Sequence, residues 1–395
     1  MENRIVKRVT AIIFLVFIFG MSGMYLRKFP SLWRNIIESR TGVKDTVHEV
    51  ENFYTNQIPA RWNFIEFYGA VQKILGKKSI EDFTLVKTDY GKIEQLQREM
   101  TKEERETFAD NIRVISEYTS AREIPMFYLT SILPVVEPSD LPVGIKEYSH
   151  ENASALLEEM EKRNVPIIDL RKSEDIQKIG KEELFYRTDH HWSVKTCFLA
   201  YRYTISEVNK RLGWSLDSGD IYTNLENYSV LKKENSFLGS YGVKVGQYYA
   251  GKDDFTAYIP RFDTCLEFES YDGEHNLQDE RKGCFEDVFL SLDLVENEDY
   301  FNKYNAFLRG SSIETRVVNW MAENELKVLL ISHSYGRPFT QYLSLCFRET
   351  RYLDPQKGRY NDNCLKYIDE YGPDLVLVMT EFEGKGVEIE TDDKR

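Results

Sequence analysis

Short apolar runs alternate with amphipathic stretches along this 395-residue chain. Phe108, Ile112, Ile115 and Tyr118 share one face at helical spacing, which predicts a helix over residues 104–122. The apolar run at 125–129 that follows has the length of a buried strand. The alternation then recurs. An amphipathic helix is expected at 151–163, a strand at 166–170, and a helix at 194–212 with Gly213 as its stop. A strand follows at 326–331, then a helix at 338–346 and a last strand at 374–379. Short apolar strands between helices predict an α/β fold with a mostly parallel sheet covered on both faces.

Two regions break the pattern. Residues 31–75 read as mostly helical, with Phe53, Trp62, Phe64, Phe67 and Tyr68 among them. Residues 214–320 are rich in Tyr, Gly, Asp and Asn, and Tyr241, Tyr248, Tyr249, Phe255, Tyr258 and Phe262 alternate with polar residues. That region is expected to be a β- or loop-rich insertion. No internal repeat and no Pro- or Gly-rich linker marks a domain boundary.

Residues 9–26 carry no charge and follow Arg4, Lys7 and Arg8. At a rise of ~1.5 Å per residue they span ~27 Å, enough to cross a bilayer core. Residues 1–28 are therefore expected to be an uncleaved signal-anchor. The run is long for a cleaved signal peptide, although Gly20-Met21-Ser22 offers a weak cleavage site. The preceding basic cluster favours a cytoplasmic N-terminus and a body, residues 29–395, outside the membrane.

A formal charge of −14 excludes a broad nucleic-acid surface. Aromatic residues make up 13% of the chain, which suits first a large core and second a sugar-binding groove. The five cysteines, Cys197, Cys265, Cys284, Cys346 and Cys364, have no zinc-site spacing. Outside the cytoplasm Cys265 and Cys284 could pair.

Candidate chemistry concentrates at residues 186–193, Tyr-Arg-Thr-Asp-His-His-Trp-Ser. Imidazole takes and returns a proton near neutral pH, and Asp189, two residues before His191, is placed to hold that ring in one tautomer. A nucleophile is found far downstream. The apolar strand 326–331 runs into His333-Ser334-Tyr335-Gly336, a small polar turn at a strand's carboxyl end, where open parallel sheets gather their sites. A Ser hydroxyl needs a base within hydrogen-bond reach, and His191 is the candidate. The Ser334 N–H at a helix start could stabilise an oxyanion; equally, Ser334 could be a plain helix cap.

The Asp-His-His-Trp run followed by strand-Ser resembles the DHHW protein family and the SGNH-hydrolase-like O-acetyltransferases of the AlgX/AlgJ type. Asn56-Gln57-Ile58-Pro59-Ala60-Arg61-Trp62 resembles an early element of that family. Leu133-Pro134 with Leu141-Pro142 resembles its loop after the first strand. Residues 166–171 precede Tyr186 and Asp189 at the family's usual distance. The resemblance covers roughly residues 45–380 and departs at His333, where the family usually has Asp. It implies an SGNH-hydrolase-like fold and a Ser334–His191–Asp189 triad. The implied activity is acetyl transfer to hydroxyls of a cell-surface or secreted polysaccharide, with a multi-pass membrane O-acyltransferase as acetyl supplier. It implies no metal and no tightly bound cofactor.

Several neighbours have two readings. His190 lines the pocket or packs opposite His191. Trp192 is a core or a wall residue that fixes the His191 ring. His333 serves the turn or competes with His191 as base. Tyr335 belongs to the pocket or to an oxyanion site. Gly310, in a turn before the nucleophile strand, is a second oxyanion donor or a tight turn only. Three other functions stay open: a carbohydrate acetylesterase of the same fold, a non-catalytic polysaccharide-assembly or binding protein, and a DHH phosphoesterase. The last needs a metal pair and further Asp clusters on earlier strands, and the chain has no Asp-x-Asp there.

Overall fold

The computed structural model describes residues 2–39, 60–80, 84–298, 301–310, 313–355 and 364–380. It divides into two compact units, Met1–Val71 and Gln72–Arg395. In the first unit helix α1 runs from Glu2 to Ser39, and α2, Arg61–Ile74, begins there and ends in the second. Within α1, Lys7–Met24 is long and apolar enough to cross a membrane, and none of that window is buried. Residues 56–59 of the early family-like element and the acidic residues 388–393 lie outside the described residues.

In the second unit β1 (Ser79–Ile80), β2 (Leu85–Lys87) and β3 (Ile93–Gln95) form a small antiparallel sheet. Helix α3 (Lys102–Ser120) leads to β4 (Met126–Leu129), and α4 (Ser149–Lys162) leads to β5 (Ile167–Ile168). Helix α5 (Val194–Leu212) precedes the hairpin of β6 (Tyr228–Phe237) and β7 (Asp253–Pro260). Then come β8 (Leu266–Tyr271), β9 (Leu277–Gly283), β10 (Glu314–Asn319) and β11 (Lys327–Ser332). Helix α6 (Gly336–Leu343), β12 (Glu349–Leu353), α7 (Cys364–Tyr371) and β13 (Leu375–Met379) complete the described chain.

The main sheet has eight strands in the order β5-β4-β13-β11-β12-β10-β8-β9. The five strands from β5 to β12 pair in parallel, and β10, β8 and β9 extend the sheet antiparallel. The sheet is therefore mixed. Within 214–320 the strands pair antiparallel, β6 with β7 as a two-stranded sheet and β8, β9 and β10 as the continuation of the main sheet.

Period-two alternation sends successive side chains of the central strands to opposite cores. Val328 and Leu330 of β11 join Leu375 and Leu377 of β13 against α5 and α6. Leu329 and Ile331 join Val376 and Val378 against α3, α4 and α7. Each fully buried side chain of this size contributes roughly 1.5–3 kcal/mol. A one-residue slip would exchange the two sets, so the register is well specified.

Local signals end the helices. Thr101 and Glu104 form a reciprocal capping box at the start of α3. Ser193 caps α5, whose other end stops at Gly213 with φ +69°. All five cysteines are free thiols, so Cys265 and Cys284 do not pair. Tyr241, Tyr249, Phe255 and Tyr258 are buried, whereas Tyr248 is exposed.

Candidate active site

The motif loop is a tight excursion closed at its base, where Phe185 and Trp192 form an antiparallel bridge and the Tyr186 N–H donates to His191 O at 3.3 Å. Three elements distant in sequence hold it. Buried Asp253, at the start of β7, accepts from the Arg187 N–H and from both the N–H and hydroxyl of Thr188. Buried Lys92, from the turn before β3, donates to Asp189 O at 2.5 Å and pairs with Glu94 at 3.0 Å. Residues 239–242 cover the loop's other side: the Tyr241 and Gly242 N–H groups donate to Thr188 O, and Gly239 N–H donates to Thr188 Oγ1. Gly239 is packed so closely that an added Cβ would stand 2.2 Å from Asp189 Cβ.

Inside this frame the side chains of Asp189, His191 and Ser334 form one hydrogen-bonded line. Asp189 Oδ1 accepts from His191 Nδ1 and, at 3.0 Å, from the His191 N–H. Asp189 Oδ2 accepts from the Ser240 N–H at 2.6 Å. His191 Nε2 lies 2.8 Å from Ser334 Oγ. Burial opposes ionisation of Asp189, but His191, His190 and the Ser240 N–H outweigh it and hold the carboxyl below the usual carboxylate range. Burial pushes the His191 imidazole below its ordinary value against the pull of Asp189, and Arg337 and His333 act in the same direction as burial. An ionised Asp189 fixes the proton on Nδ1, which leaves Nε2 as acceptor for the Ser334 hydroxyl.

Aromatic rings fix the imidazole plane. Tyr304 stacks on His191 with centroids 3.6 Å apart and an angle of 12°, and its hydroxyl donates to Ser334 O at 3.2 Å. His190 covers part of the other side at 3.8 Å, and its Nδ1 meets Ser240 Oγ at 2.8 Å. Trp192 is fully buried in the hydrophobic core, 5.5 Å from Tyr335 and stacked on Phe339. The Tyr335 hydroxyl donates to His190 O and ties the two halves together.

Ser334 sits between β11 and α6, two residues past the strand's carboxyl end, and is partly exposed. His333, beside it, is buried, and its ring meets Tyr335 edge-on at 5.7 Å. Burial pushes His333 down to about 4, against the pull of Asp354, so it is neutral at pH 7. The imidazole at hydrogen-bond distance from the Ser334 hydroxyl is His191. Gly310 is a turn residue: with φ +101° its N–H donates to Phe307 O at 3.1 Å, so that donor is spent within its own turn.

A cavity of about 320 Å³ opens beside the site. Gln95, Gln97, Ser131, Leu133, His190 and Tyr335 are among its lining residues. Asp189, His190 and His191 bring donor atoms of metal-binding type within 4.8 Å of one another. Those of Asp189 and His191, and the Nδ1 of His190, already have hydrogen-bond partners.

The sequence pattern points to Asp189, His191 and Ser334 but misses Lys92, Gly239, Ser240, Asp253 and Tyr304. None of these carries a local signal. They reach the loop only through tertiary folding, and a Gly-Ser pair in an aromatic-rich segment looks like any turn.

Residues 135–239, which include the whole motif loop, match the family model of the SGNH hydrolase-like domain of the acetyltransferase AlgX. The fold is SGNH hydrolase-like. Among solved structures, Bacillus cereus PatB1 with a sulfonyl adduct is similar at 18% identity, over 77% of this chain and 96% of that one, with a TM-score of 0.59. A DHHW family protein from Eubacterium siraeum is similar at 16% identity, over 75% and 89%, with a TM-score of 0.56. The O-acetyltransferase domain of Pseudomonas putida AlgJ aligns at 13% identity, over 75% and 91%, with a TM-score of 0.43. No curated protein matches the sequence. The DHHW resemblance of the motif loop is thus joined by an SGNH hydrolase-like frame around it.

Proposed function

We propose that this chain is a membrane-anchored O-acetyltransferase that moves an acetyl group onto hydroxyls of a cell-surface or secreted polysaccharide through an acyl-enzyme on Ser334. The observation that carries the proposal is the line from the Asp189 carboxylate through His191 to Ser334 Oγ, with the last step at 2.8 Å. A serine becomes a nucleophile when a neutral imidazole, oriented by a carboxylate, can receive its proton. The name of the matched family model, acetyltransferase AlgX, supports transfer in preference to hydrolysis.

In the proposed reaction Ser334 Oγ attacks the acetyl carbonyl carbon while His191 Nε2 takes the hydroxyl proton. Asp189 stabilises the imidazolium. The tetrahedral intermediate collapses, its bond to the donor's leaving group breaks, and His191 returns the proton to that group. A sugar hydroxyl then attacks the acetyl-Ser334 carbonyl and gives its proton to His191. The bond to Ser334 Oγ breaks, and the proton returns to Ser334. Among the described residues none accepts the Ser334 N–H, which fits a role as oxyanion donor.

The anchor is α1, with the catalytic unit outside the cytoplasm, and a multi-pass membrane O-acyltransferase supplies the acetyl group. The apolar window Lys7–Met24 supports the anchor, and the basic flank supports the orientation.

Purified full-length protein in detergent micelles should release the alcohol of a small activated acetyl ester and pass the acetyl group to added oligosaccharide. Ser334→Ala should abolish both. An ester cleaved only to free acetate, with every oligosaccharide left unmodified, would favour an esterase. No ester turnover at all would favour a binding protein.

A further inference from the structure

Arg337 lies in the first turn of α6, three residues past Ser334, and is only 7% exposed. Its N–H donates to Ser334 O at 3.2 Å, and its Nη1 donates to Asn305 Oδ1 at 2.9 Å. Its Nε has no partner, and among the described residues no carboxylate pairs with the guanidinium. A buried cation without a counter-ion weakens a fold, so such a group calls for an explanation.

Asp189 is a buried negative charge here, at 0% exposure, and the buried carboxylate of Asp354 acts on Tyr352 together with Arg337. The Asp189 carboxylate is held by N–H groups and imidazole rather than by Lys or Arg, and nearby Lys92 is already matched by Glu94. With His191 neutral at rest, the charges of Asp189 and Arg337 cancel each other. Acylation adds a positive imidazolium and a negative oxyanion, and the sum stays at zero. Without Arg337 both states would carry a net buried negative charge.

We propose that Arg337 is a positioning residue of the acyl-transfer site, whose buried charge, held by Asn305, balances Asp189, keeps His191 a neutral base at rest and offsets the oxyanion formed during acylation. This rests on Ser334 and His191 being nucleophile and base. The charge acts on the rings of His191, Tyr304 and Tyr352. The titratable groups around His191 are Asp189 and His190 from its own loop, Tyr304 from the segment before β10, and His333, Tyr335 and Arg337 from the nucleophile turn and α6.

The test is the pH dependence of Ser334 modification by a small sulfonyl fluoride, on full-length protein in detergent micelles. The Ser334 Oγ–S bond forms, fluoride leaves and His191 takes the hydroxyl proton, so the rate follows the neutral fraction of His191. Arg337→Gln should move the acid limb upward by about half a pH unit or more and lower the plateau about tenfold. Arg337→Lys should keep most of the rate and the wild-type limb. Asn305→Asp sets a carboxylate on Nη1, cancels the charge without removing the arginine, and should move the limb in the same direction as Arg337→Gln. Unmoved limbs in both Arg337→Gln and Asn305→Asp, with melting temperatures near wild type, would overturn the proposal. So would an Arg337→Lys protein as impaired as Arg337→Gln. A wild-type profile with no acid limb, or a His191→Ala protein modified at the wild-type rate, would instead remove the base assignment and this proposal with it.

Discussion

Gly239 and Asp189 touch backbone to side chain, so closely that any Cβ at residue 239 would overlap the aspartate at 2.2 Å from its Cβ and 2.4 Å from its Oδ2. The contact lets the next residue's N–H reach Asp189 Oδ2 at 2.6 Å. Gly239→Ala should therefore act at a distance on the proposed base. Overpacking of this kind costs about 1–3 kcal/mol of stability. Ester turnover should fall by at least about tenfold, beyond what the lost stability explains, because Asp189 can no longer hold the His191 tautomer. A folded Gly239→Ala protein with wild-type turnover would show that the contact serves packing only.

His191 is displaced below its ordinary value of 6.5, chiefly by burial. Activity needs its neutral form, so turnover should be full above neutral pH and fall only on the acid side of pH 6.5. Asp189→Asn removes the charge that orients the ring and should lower kcat by about 10³–10⁴-fold in a protein that still folds, though with a lower melting temperature. A wild-type rate that falls with an apparent pKa well above 6.5 would contradict the environment described for the ring.

His333 titrates separately. Its folded value of about 4 lies below the ordinary 6.5, so the unfolded chain binds more protons between those limits. Its neutral burial therefore stabilises the fold above pH 6.5, and that stability is lost as pH falls from 6.5 towards 4. The loss is on the order of 3 kcal/mol. His333→Asn should flatten the urea-unfolding stability over that window. His333→Ala should cost far less activity than His191→Ala, because the Ser334 hydroxyl bonds His191. An inactive His333→Ala beside an active His191→Ala would reverse the assignment of the base.

The window Lys7–Met24 should hold the chain in the membrane after high-salt and carbonate washing. On intact cells stripped of wall, external protease should digest the body and leave a short protected N-terminal fragment. A chain starting after residue 22 and free in the medium would show cleavage instead of anchoring.

The parts of the fold that were legible in the sequence are those whose signals are local. Strands β11 and β13 are apolar almost throughout because both faces are covered, and Gly213 marks the end of α5 by its left-handed backbone. Strand β12, Glu-Thr-Arg-Tyr-Leu, alternates charge with bulk and gives no such run, although it lies between β11 and β10. That β8, β9 and β10 extend the main sheet depends on pairing partners distant in sequence. The candidate site divides the same way. Asp189 and His191 share one loop and declare themselves by type and spacing. Lys92, Gly239 and Tyr304 act by position alone, and each reaches the loop from a different segment.

Trapping the acyl-enzyme and mapping it tests whether Ser334 is the nucleophile. Full-length protein mixed with a small acetyl ester and quenched in acid within milliseconds should carry one acetyl group, and peptide mass spectrometry should place it on Ser334. Added oligosaccharide should shorten its lifetime and appear acetylated in step with its loss. Ser334→Ala should carry none, and His191→Ala should form it at a rate lower by about 10³-fold or more. Acetylation at another residue, or equal labelling of wild type and Ser334→Ala, would show that Ser334 is not the nucleophile.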